Sequence, residues 1–290
     1  VPWRPLDSES IHGLGFATEN LDARFTEACD RLCLAPVSEI DKGYWGKALG
    51  SIVETADGKR YWLKVFGVKQ IDNANRLTEI RADEIVGAYK PALVRQHDWT
   101  VGKVHYTARM TSLASASVEQ NPWAGVTATE VPDSWIHDLV SALKSLSAHA
   151  STGTHVKQKT IGDWLFARHR IRYDFPQGDW HLSHNDLNWS NVTAPTLSIL
   201  DWEWHGYSPI GYDPGRLIAF ACEHENLVTR LERSFAPHFA SFTGLVARAY
   251  ATDRVMDGVR SGVFDPKLEL ALGHMIDRLD IELHPKLPRA

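Results

Sequence analysis

Leu21, Phe25, Ala28, Cys29 and Leu32 recur at helical spacing, so an amphipathic helix is expected here, with Pro36 ending the helical region. The pattern then shortens to apolar runs typical of strands. Val37–Ile40 reads as a short strand and Ala48–Glu54 as a longer one. Asp57-Gly58 is a turn signal before Tyr61–Phe66 (YWLKVF), which predicts a hairpin. A helix is expected from about Asp72 to Tyr89, with Leu77, Ile80 and Ile85 buried. Ala92–Arg95 and Val104–Met110 read as two more strands.

After Met110 the period becomes helical. Val131-Pro132-Asp133-Ser134 opens a helix, with Asp133 or Ser134 as the candidate N-cap and Trp135, Leu139, Leu143 and Leu146 as its apolar stripe. A second helix is expected over about Thr160–Tyr173. His181–Tyr212 is dense in polar residues and reads as short strand and loop, and Asp213 to about Leu283 as mostly helix. Sheet followed by helix predicts an α+β chain of two lobes, residues 1–113 and 114–290. The expected architecture is an antiparallel sheet plus a helix, then a mostly helical lobe.

Composition narrows the possibilities. A chain of 290 residues that is 43% hydrophobic can build a sizeable core. The net charge of −5, with scattered basic residues, argues against a nucleic-acid binder. No apolar run is long enough to span a membrane, and the opening VPWRPLDSES lacks a signal-peptide pattern. Cys29, Cys33 and Cys222 are too few and too odd in number for a disulfide framework, which fits a reducing, cytoplasmic setting. Cys29 and Cys33 read as small helix residues, and no cysteine or histidine spacing calls for structural zinc. The acceptor-like triplets at Asn188 and Asn191 are read as chance matches.

The chemistry concentrates in Leu182–Glu203, LSHNDLNWSNVTAPTLSILDWE. His184-Asn185-Asp186 is followed five residues on by Asn191, and Asp201 stands behind the apolar run Leu197–Leu200. Phosphoryl transfer needs a carboxylate to position the attacking hydroxyl and take its proton, oxygen ligands for Mg²⁺, and a cation on the phosphates. Asp186 suits the first role, Asn191 and Asp201 the second, and Lys64 on the hairpin the third.

This pattern resembles the aminoglycoside phosphotransferase and choline kinase group, relatives of the protein kinases. Their catalytic loop reads H-G-D-x-x-x-x-N, then an apolar strand and D-W/F-E; here it is His184-Asn185-Asp186 to Asn191, then Asp201-Trp202-Glu203. Tyr212-Asp213 resembles the group's later Y-D segment. The likeness covers roughly Val37–Phe220 and is strongest over Leu182–Asp213. It implies a protein-kinase-like fold and ATP- or GTP-dependent O-phosphotransfer with Mg²⁺. Asp186 would be the base, Asn191 and Asp201 the metal ligands, and Lys64 the phosphate contact, held by Glu79, or alternatively Glu84. Gly43 and Gly46 would lie in the nucleotide loop, whose backbone amides can cradle phosphate.

Two departures stand out. Asn185 replaces the usual glycine, although Asn also tolerates positive φ. The loop spacing from Gly43 through Gly46 to Gly50 is not G-x-G-x-x-G, and a purely structural strand-glycine role stays open. Gly43–Lys47 is too short for a P-loop, and Gly13-Leu14-Gly15 lacks a third glycine at Thr18. A two-metal hydrolase built on His184, Asp186, Asp201, Glu203 and His205 is the rival chemistry, but it gives no use to Lys64.

The acceptor is expected to be a hydroxylated small molecule, an aminoglycoside or other antibiotic first, or an amino alcohol or sugar. Glu223, Glu225, Glu232, Asp277, Asp280 and Glu282 are candidate contacts for a cationic acceptor, though helical charges are usually solvated. Trp180, Trp189, Trp202 and Trp204 crowd the loop, with core packing the expected role for most. A pseudokinase that binds ligand without turnover is the alternative outside enzymology. The joint presence of Lys64, Asp186, Asn191 and Asp201 weighs against it.

Overall fold

The stripe from Leu21 to Leu32 forms helix α1 (Leu21–Leu32), closed by Cys33 in the left-handed region at φ 55°. The helix therefore ends before Pro36, and Cys33 is an exposed cap, not a packed helix residue. The chain is seen here in a computed structural model that describes residues 17–43, 46–70, 80–85, 89–121, 123–127, 131–150 and 156–286. It divides into two compact units: one runs to Asp83 and resumes over Lys90–Ala114, and the other takes Glu84–Tyr89 and everything from Ser115.

In the first unit, strands β1 (Leu34–Pro36), β2 (Asp41–Lys42), β3 (Ala48–Thr55), β4 (Arg60–Val68), β5 (Leu93–Val101) and β6 (Val104–Thr111) form one antiparallel sheet. Its order is β1-β3-β4-β6-β5, with β2 also on β3. The expected hairpin is present, pairing Glu54 with Arg60 around Gly58 at φ +78°. Val37–Ile40 is not a strand. It is a connection held against β3 by Val37 N–H donating to the Ile52 carbonyl at 2.9 Å, while the paired segments fall on either side of it.

The α1 stripe packs on one face of this sheet, against Leu49, Val53, Leu63, Val65, Tyr106, Ala108 and Met110. Full burial of a side chain such as Leu63 contributes roughly 2 kcal/mol. Because strand side chains alternate, Lys64 lies on the face opposite Leu63 and Val65. Of the helix expected over Asp72–Tyr89, only its last part is described. Ile80 and Arg81 are helical, Ala82–Glu84 is a 3-10 turn, and Tyr89 at φ 49° is already outside it.

The second unit carries helices α2 (Asp133–Ser147), α3 (Gln158–His169), α4 (Tyr212–Ala219), α5 (Glu225–Ser234), α6 (Phe242–Arg260) and α7 (Leu268–Leu283). A two-stranded ribbon joins β7 (Trp180–Ser183) to β8 (Gly206–Pro209). Pro132, not Asp133 or Ser134, is the N-cap of α2, and Asp133 sits in the first turn, where a carboxylate favours the helix dipole. Helix α3 stops at His169 because Arg170 turns left-handed at φ 60°, short of the expected Tyr173. The stripe Trp135, Leu139, Leu143 and Leu146 is buried as expected. Among the described residues, no helix is long and apolar enough to cross a membrane.

Helices α4 and α6 approach closely because glycines meet there. Gly211 opens α4 at φ +91°, where a Cβ would lie 2.5 Å from the Gly244 carbonyl oxygen. A Cβ on Gly215 would lie 2.9 Å from the Arg248 Cα. This fixes α4, the element that meets the polar loop between β7 and β8.

Candidate active site

That loop begins at the end of β7. His184 is fully buried, and its Nε2 lies 2.8 Å from the Leu200 carbonyl; since a carbonyl only accepts, Nε2–H is the donor. Burial pushes the imidazole pKa down, so the neutral ring is favoured, and it packs edge-on to Trp202 at 4.9 Å. His184 thus braces the loop against the Asp201 segment.

Asn185 does adopt positive φ, at 68°. Its side chain adds something glycine lacks: Nδ2 donates to the carbonyls of Trp204 (3.2 Å) and Gly206 (3.0 Å). The departure from glycine therefore cross-links the loop to the chain that follows Asp201.

Asp213, in the first turn of α4, accepts the backbone N–H groups of His184 at 2.7 Å and Asn185 at 2.8 Å. Burial raises its carboxyl pKa, opposed by His184, by these two donors and by Arg216. Asn188 caps the next turn, its Oδ1 accepting from Ser190 N at 2.9 Å and Asn191 N at 3.2 Å. Asn191 Nδ2 then returns to Asp186, donating to its carbonyl at 2.9 Å and its Oδ2 at 3.2 Å. The other carboxylate oxygen, Oδ1, accepts from Arg216 Nη2 at 2.9 Å.

Asp201 follows the apolar run in the left-handed region, at φ 58° and ψ 67°, and is exposed. Ile199 pairs with Val192, and Leu200 N–H donates to the Asn191 carbonyl at 2.8 Å, so the Asp201 segment is tied directly to the Asn191 turn. The structure thus brings together Asp186, Asn191 and Asp201 on one braced assembly. Trp189 and Trp202 are core residues, hydrogen-bonded through Nε1 to the carbonyls of Leu217 and Ile199, while Trp180 and Trp204 are half-buried.

In the sheet unit, Lys64 is half-buried and is paired across the sheet with Gly50 on β3 and Arg109 on β6. Arg109 is buried and grips both carboxylate oxygens of Asp83, at 2.7 and 2.8 Å. Gly46 adopts φ +65°, and its N–H donates to the Gly43 carbonyl at 2.7 Å, while the Gly43 N–H donates to Ala48 at 2.9 Å. Those two amides are used inside the turn. Glu79 lies outside the described residues, and Glu84 is exposed at the end of its 3-10 turn.

Known structures share this architecture. An amicoumacin kinase, hAmiN, solved in complex with AMP-PNP, Ca2+ and Ami, superposes with a TM-score of 0.57 at 12% identity, over 97% of each chain. A macrolide 2'-phosphotransferase from Brachybacterium faecium, an apoenzyme, gives 0.55 at 14% identity, over 93% of this chain and 100% of that one. A thermostable mutant of an aminoglycoside phosphotransferase, in a ternary complex with AMP-PNP and hygromycin B, gives 0.52 at 14%, over 86% and 92%. This is the protein-kinase-like fold. In sequence, no protein-family model and no curated protein matches the chain.

Three features of the two units escaped the sequence reading. Arg216 on the Asp186 carboxylate and Asp83 on Arg109 are both long-range pairings, and no local pattern announces them. Asn188 had a visible signal, an Asn two and three residues before the amides it caps. Of the acidic residues weighed as acceptor contacts, Glu232 pairs with Arg248 and Arg278, and Asp280 with Arg168, so these carboxylates serve the helix packing. The hydrolase cluster does not assemble. Among the described residues, no three His, Cys, Asp or Glu side chains group as a metal site, and His184 Nε2 is engaged by a carbonyl.

Proposed function

We propose that the chain is a small-molecule kinase that transfers the γ-phosphate of ATP, or GTP, to a hydroxyl of its substrate. The observation that carries this reading is the doubly held Asp186 carboxylate, with Arg216 on Oδ1 and Asn191 on Oδ2, on a loop bonded to the Asp201 segment. In this reading Asp186 orients the acceptor hydroxyl and takes its proton as the oxygen bonds to the γ-phosphorus. The bond to the β,γ-bridging oxygen breaks, and the nucleoside diphosphate leaves.

The donor set fits Mg²⁺. Asn191 spends Nδ2 on Asp186, which leaves its carbonyl oxygen as the ligand atom, and Asp201 offers an exposed carboxylate. Magnesium takes few protein ligands and completes its shell with phosphate and water, so no larger acidic cluster is required. When bound, the ion screens the phosphate charge during transfer. Lys64 is assigned to the nucleotide phosphates, with Gly43 and Gly46 shaping the loop before β3. The AMP-PNP and Ca2+ in the amicoumacin kinase complex support nucleotide and divalent-cation use. Amicoumacin and hygromycin B put antibiotics first among acceptors to screen, ahead of amino alcohols and sugars.

The test is calorimetric titration with ATP and GTP, each with and without Mg²⁺, on the wild type and Asp201→Ala. Magnesium-dependent binding that disappears in the variant supports the reading. Absence of nucleotide binding by the wild type at millimolar concentrations overturns it.

A further inference from the structure

Arg216 has no part in the chemistry proposed above, yet it is the residue that grips the proposed base. Its side chain is only 12% exposed, against 32% for Asp186, so a guanidinium has been taken largely out of water to face this one carboxylate. Burying an unpaired charge is costly, and the pair offsets that cost only when its geometry is well set. Burial works against the charged guanidinium, but Tyr212 and Asp186 outweigh it and raise its pKa.

The surroundings hold this guanidinium in one place. Tyr212, four residues earlier on α4, and the Phe220 ring, four residues later and 5.8 Å from the guanidinium, flank it. This is the spacing that puts three side chains on one helix face. Asp213, three residues before Arg216, holds the backbone of His184 and Asn185. One short helix therefore grips the loop twice, at its backbone and at its carboxylate. The glycine contacts of Gly211 and Gly215 seat that helix against α6.

We infer that Arg216 is a positioning residue for Asp186, setting the rotation of the carboxylate against the acceptor hydroxyl. An aspartate carboxylate otherwise turns about a broad, roughly two-fold torsion, and it is partly exposed here. The bond from Asn191 Nδ2 to Asp186 Oδ2 is 3.2 Å, long and from a neutral donor. The inference rests on the kinase reading for its catalytic consequence, but not for the geometry itself.

Three measurements test it. The first is the crystal structure of Arg216→Ala, which needs no activity. The Asp186 carboxylate is expected to rotate or split between conformers, and an unmoved single conformer overturns the inference. The second is hydrolysis of MgATP, with water as acceptor. Arg216→Ala is expected to keep the MgATP Kd within about threefold while kcat falls about 10- to 100-fold, since small misplacements of a catalytic group cost that much. Arg216→Lys, which lacks the planar fork, should fall between, and it serves also if the alanine variant fails to fold. The third is a double-mutant cycle. In an Asp186→Asn background Arg216→Ala should cost nothing further, because it acts through Asp186. Additive losses would mark Arg216 as a structural residue and overturn the inference. A wild type that neither binds nor hydrolyses MgATP would sink the kinase reading instead, with the crystal structure still deciding the positioning.

Discussion

Asp213 accepts the backbone N–H of His184 at 2.7 Å from a position twenty-nine residues further along the chain. The same carboxylate takes the next amide, Asn185, at 2.8 Å. Two buried donors therefore depend on one side chain. Asp213→Asn keeps one acceptor oxygen but turns an NH₂ group toward the other donor. It should lower unfolding stability by about 1–3 kcal/mol, read from urea denaturation, because a buried unpaired amide costs that much. A midpoint unchanged from wild type would show that the loop does not rely on Asp213.

In the proposed mechanism Asp186 is the base. Asp186→Asn keeps the hydrogen bond to Arg216 possible through its oxygen but cannot take a proton. We expect kcat for MgATP turnover to fall by about 10²–10⁴, with nucleotide affinity largely retained. Single-turnover kinetics at saturating nucleotide separate the two, and undiminished turnover would remove Asp186 from the mechanism.

In the proposed mechanism Lys64 meets the phosphates, and its place between Gly50 and Arg109 on the sheet puts it on the face turned from α1. Lys64→Met should weaken ATP binding about 10- to 100-fold, the range for losing a charge-assisted hydrogen bond. Thermal melting should move little. Equal affinity in calorimetry would reassign the lysine to a structural role.

The Arg109–Asp83 pair is asymmetric. The Arg109 side chain is 6% exposed and that of Asp83 29%. Removing the acid leaves the buried guanidinium with Gln96 but without its Asp83 carboxylate, whereas removing the arginine leaves a carboxylate that water and Lys90 can reach. Asp83→Ala should therefore destabilise by about 2 kcal/mol or more and exceed Arg109→Met, by chemical denaturation. The reverse order would show that the pair's charge is better solvated than its burial suggests.

Burial lowers the pKa of four histidines: His169, His181, His184 and His238. His238 is also pushed down by its neighbour His181. With folded values below the unfolded value of about 6.5, the unfolded state binds more protons in that window. Stability should therefore be full above about pH 6.5 and fall as the pH drops below it. Melting temperatures at pH 5.5 and 7.5 check this, with the lower one expected at pH 5.5. His238→Asn should shrink the difference, and a melting temperature that rises on acidification would contradict the sign.

The grouping of polar residues in the loop and the individual strands were largely visible in the residues because both are local. Asp186, Asn191 and Asp201 sit within one stretch, and the period of Tyr61–Phe66 is that of a strand whichever partner it meets. The positive φ at Asn185 was also legible, since Asn tolerates that region. Element ends were less so. The end of α3 depends on Arg170 turning left-handed, which no local residue preference requires, and Val37–Ile40 has strand-forming residues but lies where the pairing breaks off.

By itself, then, the sequence determined most of the strands and helices and placed carboxylate and amide groups close together in the loop after β7. These follow from side-chain period and local spacing. Only the tertiary structure decided who holds those groups. Arg216 reaches Asp186, Asp213 reaches His184 and Asp83 reaches Arg109 across 30, 29 and 26 residues. Such partners are chosen by how glycine-seated helices and sheet registers pack, and by the need to satisfy every buried charge. That need belongs to the folded volume, not to any window of the chain.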